Sequence, residues 1–247
     1  MNGRIITCTL AIIFLLFSPK PAIAQDLWSD AVATYQQHAG LVPGRMVIRF
    51  DQYNGRGKLV SAEYSEIEIR VAPNGEIAGT TVYASRDGED ITAERQDGGG
   101  APPFAGSGDG ESDGDSPFAG LSLSPFDPDE QQRVVVTDTG RSEVLGGTVT
   151  RMFRYRHSTS EKFGTTGTVW IDPESGAPVR LTGVIEPLPG YVNEFEMIQE
   201  FDVDSDGRWY LARMRFMGEG NILFVRRRIE SEFAFGDYFA PPSTTIN

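Results

Sequence analysis

From Phe163 to Phe235 apolar and polar side chains alternate through five successive segments, which commits the last third of the chain to long antiparallel strands. The segments run Gly164 to Ile171, Pro178 to Glu186, Tyr191 to Val203, Arg208 to Met217 and Asn221 to Phe235. Turn-forming stretches such as Asp172-Pro173-Glu174-Ser175-Gly176 and Asp204-Ser205-Asp206-Gly207 separate them. A period of two puts Phe195, Met197 and Phe201 on one face of their strand, and Met214 and Phe216 on one face of the next. The opposite face is charged. A sheet with one apolar face must cover that face, and the cover decides what the protein can do.

Upstream, Asp26 to Ala39 has helical spacing, with Leu27, Trp28 and Tyr35 on its apolar side and Gly40 as a stop. Strands follow at Arg45 to Tyr53, Leu59 to Val71 and Glu76 to Arg86, joined by the turns Asn54-Gly55-Arg56-Gly57 and Pro73-Asn74-Gly75. Two more, Arg133 to Thr137 and Thr148 to His157, precede the C-terminal meander. About ten or eleven strands thus stand against one helix.

Residues 97–131 break the pattern: they hold eight acidic side chains, no Lys or Arg, and many Gly, Pro and Ser. Such a composition buries too little apolar surface to offset chain entropy, so it is expected to be a disordered acidic loop. Its Pro-Phe pairs allow a sharper expectation, that Phe104 and Phe118 dip into an apolar cavity as a plug.

The first 24 residues have the form of a secretory signal, with Arg4, an apolar run from Ile5 to Phe17, and Ala22-Ile23-Ala24 before Gln25. The run is shorter than the ~20 residues of a membrane span, so no integral membrane segment is expected after cleavage. Residues 25–247 then form a single β domain without a thiol, since Cys8 lies inside the signal. Disulfides, a cysteine nucleophile and thiolate metal ligands are excluded from it. Loss of Arg4 and Lys20 takes the net charge from −13 to −15, a field that repels nucleic acid. The expected location is the periplasm.

No motif points to catalysis, to a cofactor or to a metal. Asp202-Val203-Asp204-Ser205-Asp206-Gly207 matches half of a calcium loop, but its twelfth position is Arg213 and it joins two strands. His38 and His157 have no partner at metal-ligand spacing; His38 reads as a helix-end residue and His157 as an exposed strand end. No nucleophile elbow and no phosphate loop occur. In Arg226-Arg227-Arg228, Arg227 points to the apolar face while its neighbours point outward with Glu230 and Glu232. The candidate cavity lining is therefore Trp170, Phe195, Met197, Phe201, Met214, Phe216 and Arg227, although the period alone does not fix the face of Trp170. Leu27, Trp28 and Tyr35 are the candidate lid.

The pattern Gly167-Thr168-Val169-Trp170-Ile171-Asp172 followed by Ser175-Gly176-Ala177-Pro178-Val179-Arg180 resembles the middle strand pair of the LolA/LolB-like superfamily of periplasmic lipoprotein carriers. The resemblance implies a mainly β fold, a strongly curved antiparallel sheet or half-open β-barrel with the N-terminal helix as lid. It also implies a carrier that shelters lipid or lipoprotein acyl chains, with a role in outer-membrane lipoprotein sorting. The alternative is a non-enzymatic interaction or stress-sensing module that binds an envelope protein and no lipid.

Overall fold

The computed structural model describes residues 21–71, 77–97, 124–222 and 225–241. Helix α1 (Pro21–His38) opens at a proline, whose missing N–H costs nothing in a first turn, and so begins before Asp26. Strands β1 (Arg45–Asn54), β2 (Leu59–Val71), β3 (Ile77–Arg86) and the two-residue β4 (Glu89–Asp90) follow, then a short helix α2 (Thr92–Asp97). A 3₁₀ segment, Pro128–Arg133, leads into β5 (Val134–Leu145) and β6 (Thr148–Ser158). The meander completes the chain with β7 (Gly164–Ile171), β8 (Pro178–Glu186), β9 (Val192–Val203), β10 (Trp209–Ile222) and β11 (Val225–Gly236).

All eleven strands form one curved antiparallel sheet that does not close, in the order β4-β3-β2-β1-β11-β10-β9-β8-β7-β6-β5. Every neighbour in that order is also a sequence neighbour except at one seam, where β1 pairs with β11 and Val47 lies across from Ala234.

Several further features depart from the sequence expectation. Strand β5 continues past Thr137 because Gly140, at φ +73°, lets residues 139–141 bulge out before pairing resumes at Ser142 and Arg151. Helix α2 is held by the Asp90 carboxylate, which accepts the Thr92 N–H at 2.8 Å, and by the Thr92 hydroxyl, which accepts the Ala84 N–H at 2.9 Å. The end of the expected disordered loop is built into the fold, since Phe126 is fully buried and Pro128–Arg133 is helical.

Phe126 explains that order. Its ring lies 5.2 Å from Trp28 and 6.4 Å from Phe201, so the acidic stretch ends in an apolar anchor between α1 and the sheet. Trp28 adds a hydrogen bond from its Nε1 to Gln131 Oε1 at 3.0 Å. His157, expected at an exposed strand end, is fully buried instead, because Glu130 of the 3₁₀ segment reaches its Nε2 at 3.0 Å. Within the sheet, the glycine pair Gly167 and Gly183 lets β7 lie close to β8 and leaves room for the Tyr155 side chain: a Cβ on Gly167 would fall 1.8 Å from the Thr182 carbonyl oxygen, and one on Gly183 2.7 Å from the Tyr155 hydroxyl.

The outer face carries ion pairs. Glu200 on β9 receives Arg180 at 2.8 Å, Arg215 at 3.1 Å and Arg213 at 3.3 Å. Burial works to raise its carboxyl, but the Arg180 hydrogen bond and the charges of the three arginines outweigh it and hold the carboxyl below the usual glutamate range.

Two predictions follow from this architecture. Phe126→Ala should cost about 3–5 kcal/mol of stability in urea unfolding, because it empties a closed apolar site. Glu200→Gln should cost about 1–2 kcal/mol at neutral pH by removing charge-assisted bonds. A lowered folded-state pKa gives stability that is complete above the unfolded value and fades as pH falls through the folded one. The gap between wild type and Glu200→Gln should therefore close as unfolding is measured at steps below pH 4.

Candidate functional site

Register brings two rows of side chains across the inner face. One runs Tyr155, Gly167, Gly183, Met197, Phe216, Ser231, Phe50, and the next runs Phe153, Val169, Leu181, Gln199, Met214, Phe233, Ile48. The rows are apolar from β6 to β1 apart from Ser231 and Gln199. Among the described residues, Gln199 Nε2 donates to two thioether sulfurs, Met197 at 3.6 Å and Met214 at 3.7 Å.

This face is covered unevenly. Over β6 to β10 it is a closed core: Leu27, Trp28 and Ala31 of α1 join Phe126 against Phe153, Val169, Leu181 and Met197. Over β10, β11, β1 and β2 the cluster is small, with Ile48, Ile67 and Phe233 buried and Met46, Ile69, Met214, Phe216 and Phe235 only half-buried around them. Helix α1 packs on β7, β10 and the 3₁₀ segment, and α2 packs on β3. The half-buried strip lies between the two helices. Phe216 is 6.1 Å from Phe195 on the closed side and 5.9 Å from Phe233 on the strip, so it belongs to both.

Charge bounds the strip at β2 and β3. Glu63, next in the row beyond Phe50, accepts from Arg86 at 2.9 Å and from Arg95 of α2 at 2.5 Å. A separate hollow of about 330 Å³ opens against the charged face, beside Arg49, Asp51, Arg215, Arg228, Glu230 and Glu232. Its charges meet one another, as in Arg228 with Glu230 at 2.5 Å, so it offers an apolar ligand little.

The candidate residues are thereby sorted. Trp170 is on the other face, where its Nε1 donates to Glu143 Oε2 at 2.9 Å; its neighbours Val169 and Ile171 point inward, so its place in the lining is corrected. Phe195 and Met197 are inward but buried in the closed core. Phe201 stacks on Trp209 at 4.6 Å beneath α1, and Met214 and Phe216 are half-buried on the strip. Leu27, Trp28 and Tyr35 do cover the sheet, Tyr35 lying 6.3 Å from Trp209. Burial, and then the Asp127 charge, raises the Tyr35 phenol above its usual range. Arg227 is half-buried and in register with inward positions. Phe104 and Phe118 lie outside the described residues. Alternation alone puts Phe233 on the apolar face with Arg227 and groups Ile48 with Phe50 on one face of β1, but none of the three was among the candidate lining residues; the missing signal was that β1 lies beside β11.

The calcium-like turn is a hairpin. Arg208 donates to Asp204 Oδ2 at 2.7 Å and lies 3.2 Å from Asp206, a cation of the chain standing among the carboxylates. The backbone N–H of Arg208 is the main reason why the Asp204 carboxyl lies below its ordinary range.

No family model and no curated protein matches the chain. Among solved structures it is similar to an outer membrane lipoprotein-sorting protein domain from Vibrio parahaemolyticus, at 11% identity and TM-score 0.39, over 91% of this chain and 92% of that one. It is similar to a LolA superfamily protein from Nitrosomonas europaea, at 7% identity and TM-score 0.33, over 87% of this chain and 94% of that one. A third is MucB in complex with MucA(peri), at 8% identity and TM-score 0.26, over 86% and 93%.

Proposed function

We propose that the chain is a non-catalytic periplasmic binding protein that shelters an apolar ligand, a lipid or lipoprotein acyl chain, on the inner face of its sheet. The observation that carries this reading is the uneven cover. Half of the face is a closed core, and the half formed by β10, β11, β1 and β2 leaves Met46, Ile69, Met214, Phe216 and Phe235 half-buried. Methionine and phenylalanine side by side give a surface that adapts to chains of different shape. The driving force is burial of apolar area, about 25 cal/mol per Å². Two features support a passive role: His157 is enclosed against Glu130 inside the core, and the calcium-like carboxylates are held by Arg208. Export rests on the signal-like start of the sequence. Among the described residues no helix is long and apolar enough to cross a membrane.

Mass spectrometry of an organic extract of the purified protein, paired with titration of a fluorescent fatty acid, tests the proposal. Bound lipid and saturable uptake are expected. Phe216→Asp should weaken uptake about tenfold or more, the value of one buried aromatic contact, while Val184→Asp on the outer face should leave it unchanged. A folded protein with neither extracted lipid nor uptake would leave the protein-interaction module as the better account.

A further inference from the structure

We propose that the ligand of the apolar strip is an amphiphile with an anionic head group, a carboxylate or phosphate, and that Arg227 receives that head; this rests on the apolar-ligand reading above. Arg227 lies on β11 across from Gly220 of β10 and Asn54 of β1. Cross-strand partners share a face, so all three belong with Ser231 and Phe233 on the inner side. Both partners of Arg227 are uncharged. The outward neighbours Arg226 and Arg228 are matched, to Glu219 and to Glu230, each at 2.5 Å.

Arg227 stands apart from the other cations. Among the described arginines, Arg49, Arg56, Arg141, Arg154 and Arg156 also lack an ion pair, but all five are exposed and water satisfies them. Arg227 is half-buried on the inner face with no carboxylate partner among the described residues, which leaves its guanidinium able to receive an anion from outside the chain. Asn54 adds to the imbalance. Its Oδ1 accepts the N–H groups of Arg56 at 2.9 Å and Lys58 at 3.1 Å, which leaves amide N–H donors as its remaining capacity. Among the described residues, the end of the inner face thus carries donors and a positive charge with no carboxylate to match them. A guanidinium presents a planar fork of donors that fits two oxygens of one carboxylate or phosphate. A tail laid over Phe216 and Phe233 would run along β11 past Ser231 and Ile229 and bring its head to Arg227. The charge at β2 and β3 does not compete for that role, since Arg86 and Arg95 already share Glu63.

The test compares three probes of matched chain length, oleic acid, a monoacyl phosphate and oleyl alcohol, on the full chain and on Arg227→Gln and Arg227→Lys. Arg227→Gln should weaken one or both anionic probes about tenfold, the value of one charge-assisted hydrogen bond, and leave the alcohol unchanged. Arg227→Lys should fall between, because it keeps the charge and loses the fork. Whichever anionic probe binds wild type more tightly identifies the head as carboxylate or phosphate. Unchanged melting temperatures check that both variants remain folded. Equal losses for anionic and neutral probes, or no loss at all, overturn the proposal and leave the apolar site standing. Competition by inorganic phosphate alone also overturns it, since the site would then serve a soluble anion. Failure of all three probes to bind wild type refutes the apolar-ligand reading itself.

Discussion

The structure depends on a mismatch between the width of the sheet and the length of the helix that covers it. Eleven strands at ~4.8 Å spacing make a face roughly 50 Å across before curvature. The part of α1 that follows the expected cleavage point, residues 25–38, is about 21 Å long, enough to lie over four or five strands. Helix α1 can roof β6 to β10, and Phe126 fills the space at its side. The rest of the apolar face must curve, accept partial exposure or take up something else. From that shortfall come the closed core, the half-buried strip and the tolerance for an inward arginine.

Much of this was legible in the alternating pattern because a half-buried antiparallel strand writes its two faces into alternate residues. Phe195, Met197, Phe201, Met214 and Phe216 share the inner side because the period is two. The errors have specific causes. Trp170 reads as apolar, yet its indole N–H needs an acceptor, and Glu143 supplies one on the outer face. His157 reads as polar and exposed because its partner Glu130 lies in a segment whose composition signals disorder. Helix α2 is too short for a helical period and depends on Asp90 and Ala84 for its start. Composition is an average, and one buried phenylalanine in a polar stretch is enough to defeat it.

The strip was the least visible part for a topological reason. Each strand shows its own faces, but only the pairing of β1 with β11 sets Ile48 beside Phe233 and Phe50 beside Ser231. Nothing local encodes that pairing. The same juxtaposition places Asn54 beside Arg227, so the apolar floor and its positive end are products of one long-range contact.

That seam has a consequence for how the molecule is made. Strands β5 to β10 can zip together as successive hairpins while the chain is still emerging, but β1 to β4 have no route to them except through β11. The first sheet strand to appear must wait for the last before the two can pair, and contacts of that range are slow to form. The half-buried strip, which straddles that seam, is then the final part of the sheet to form. Until β11 arrives, the protein would be two half-sheets without a shared floor.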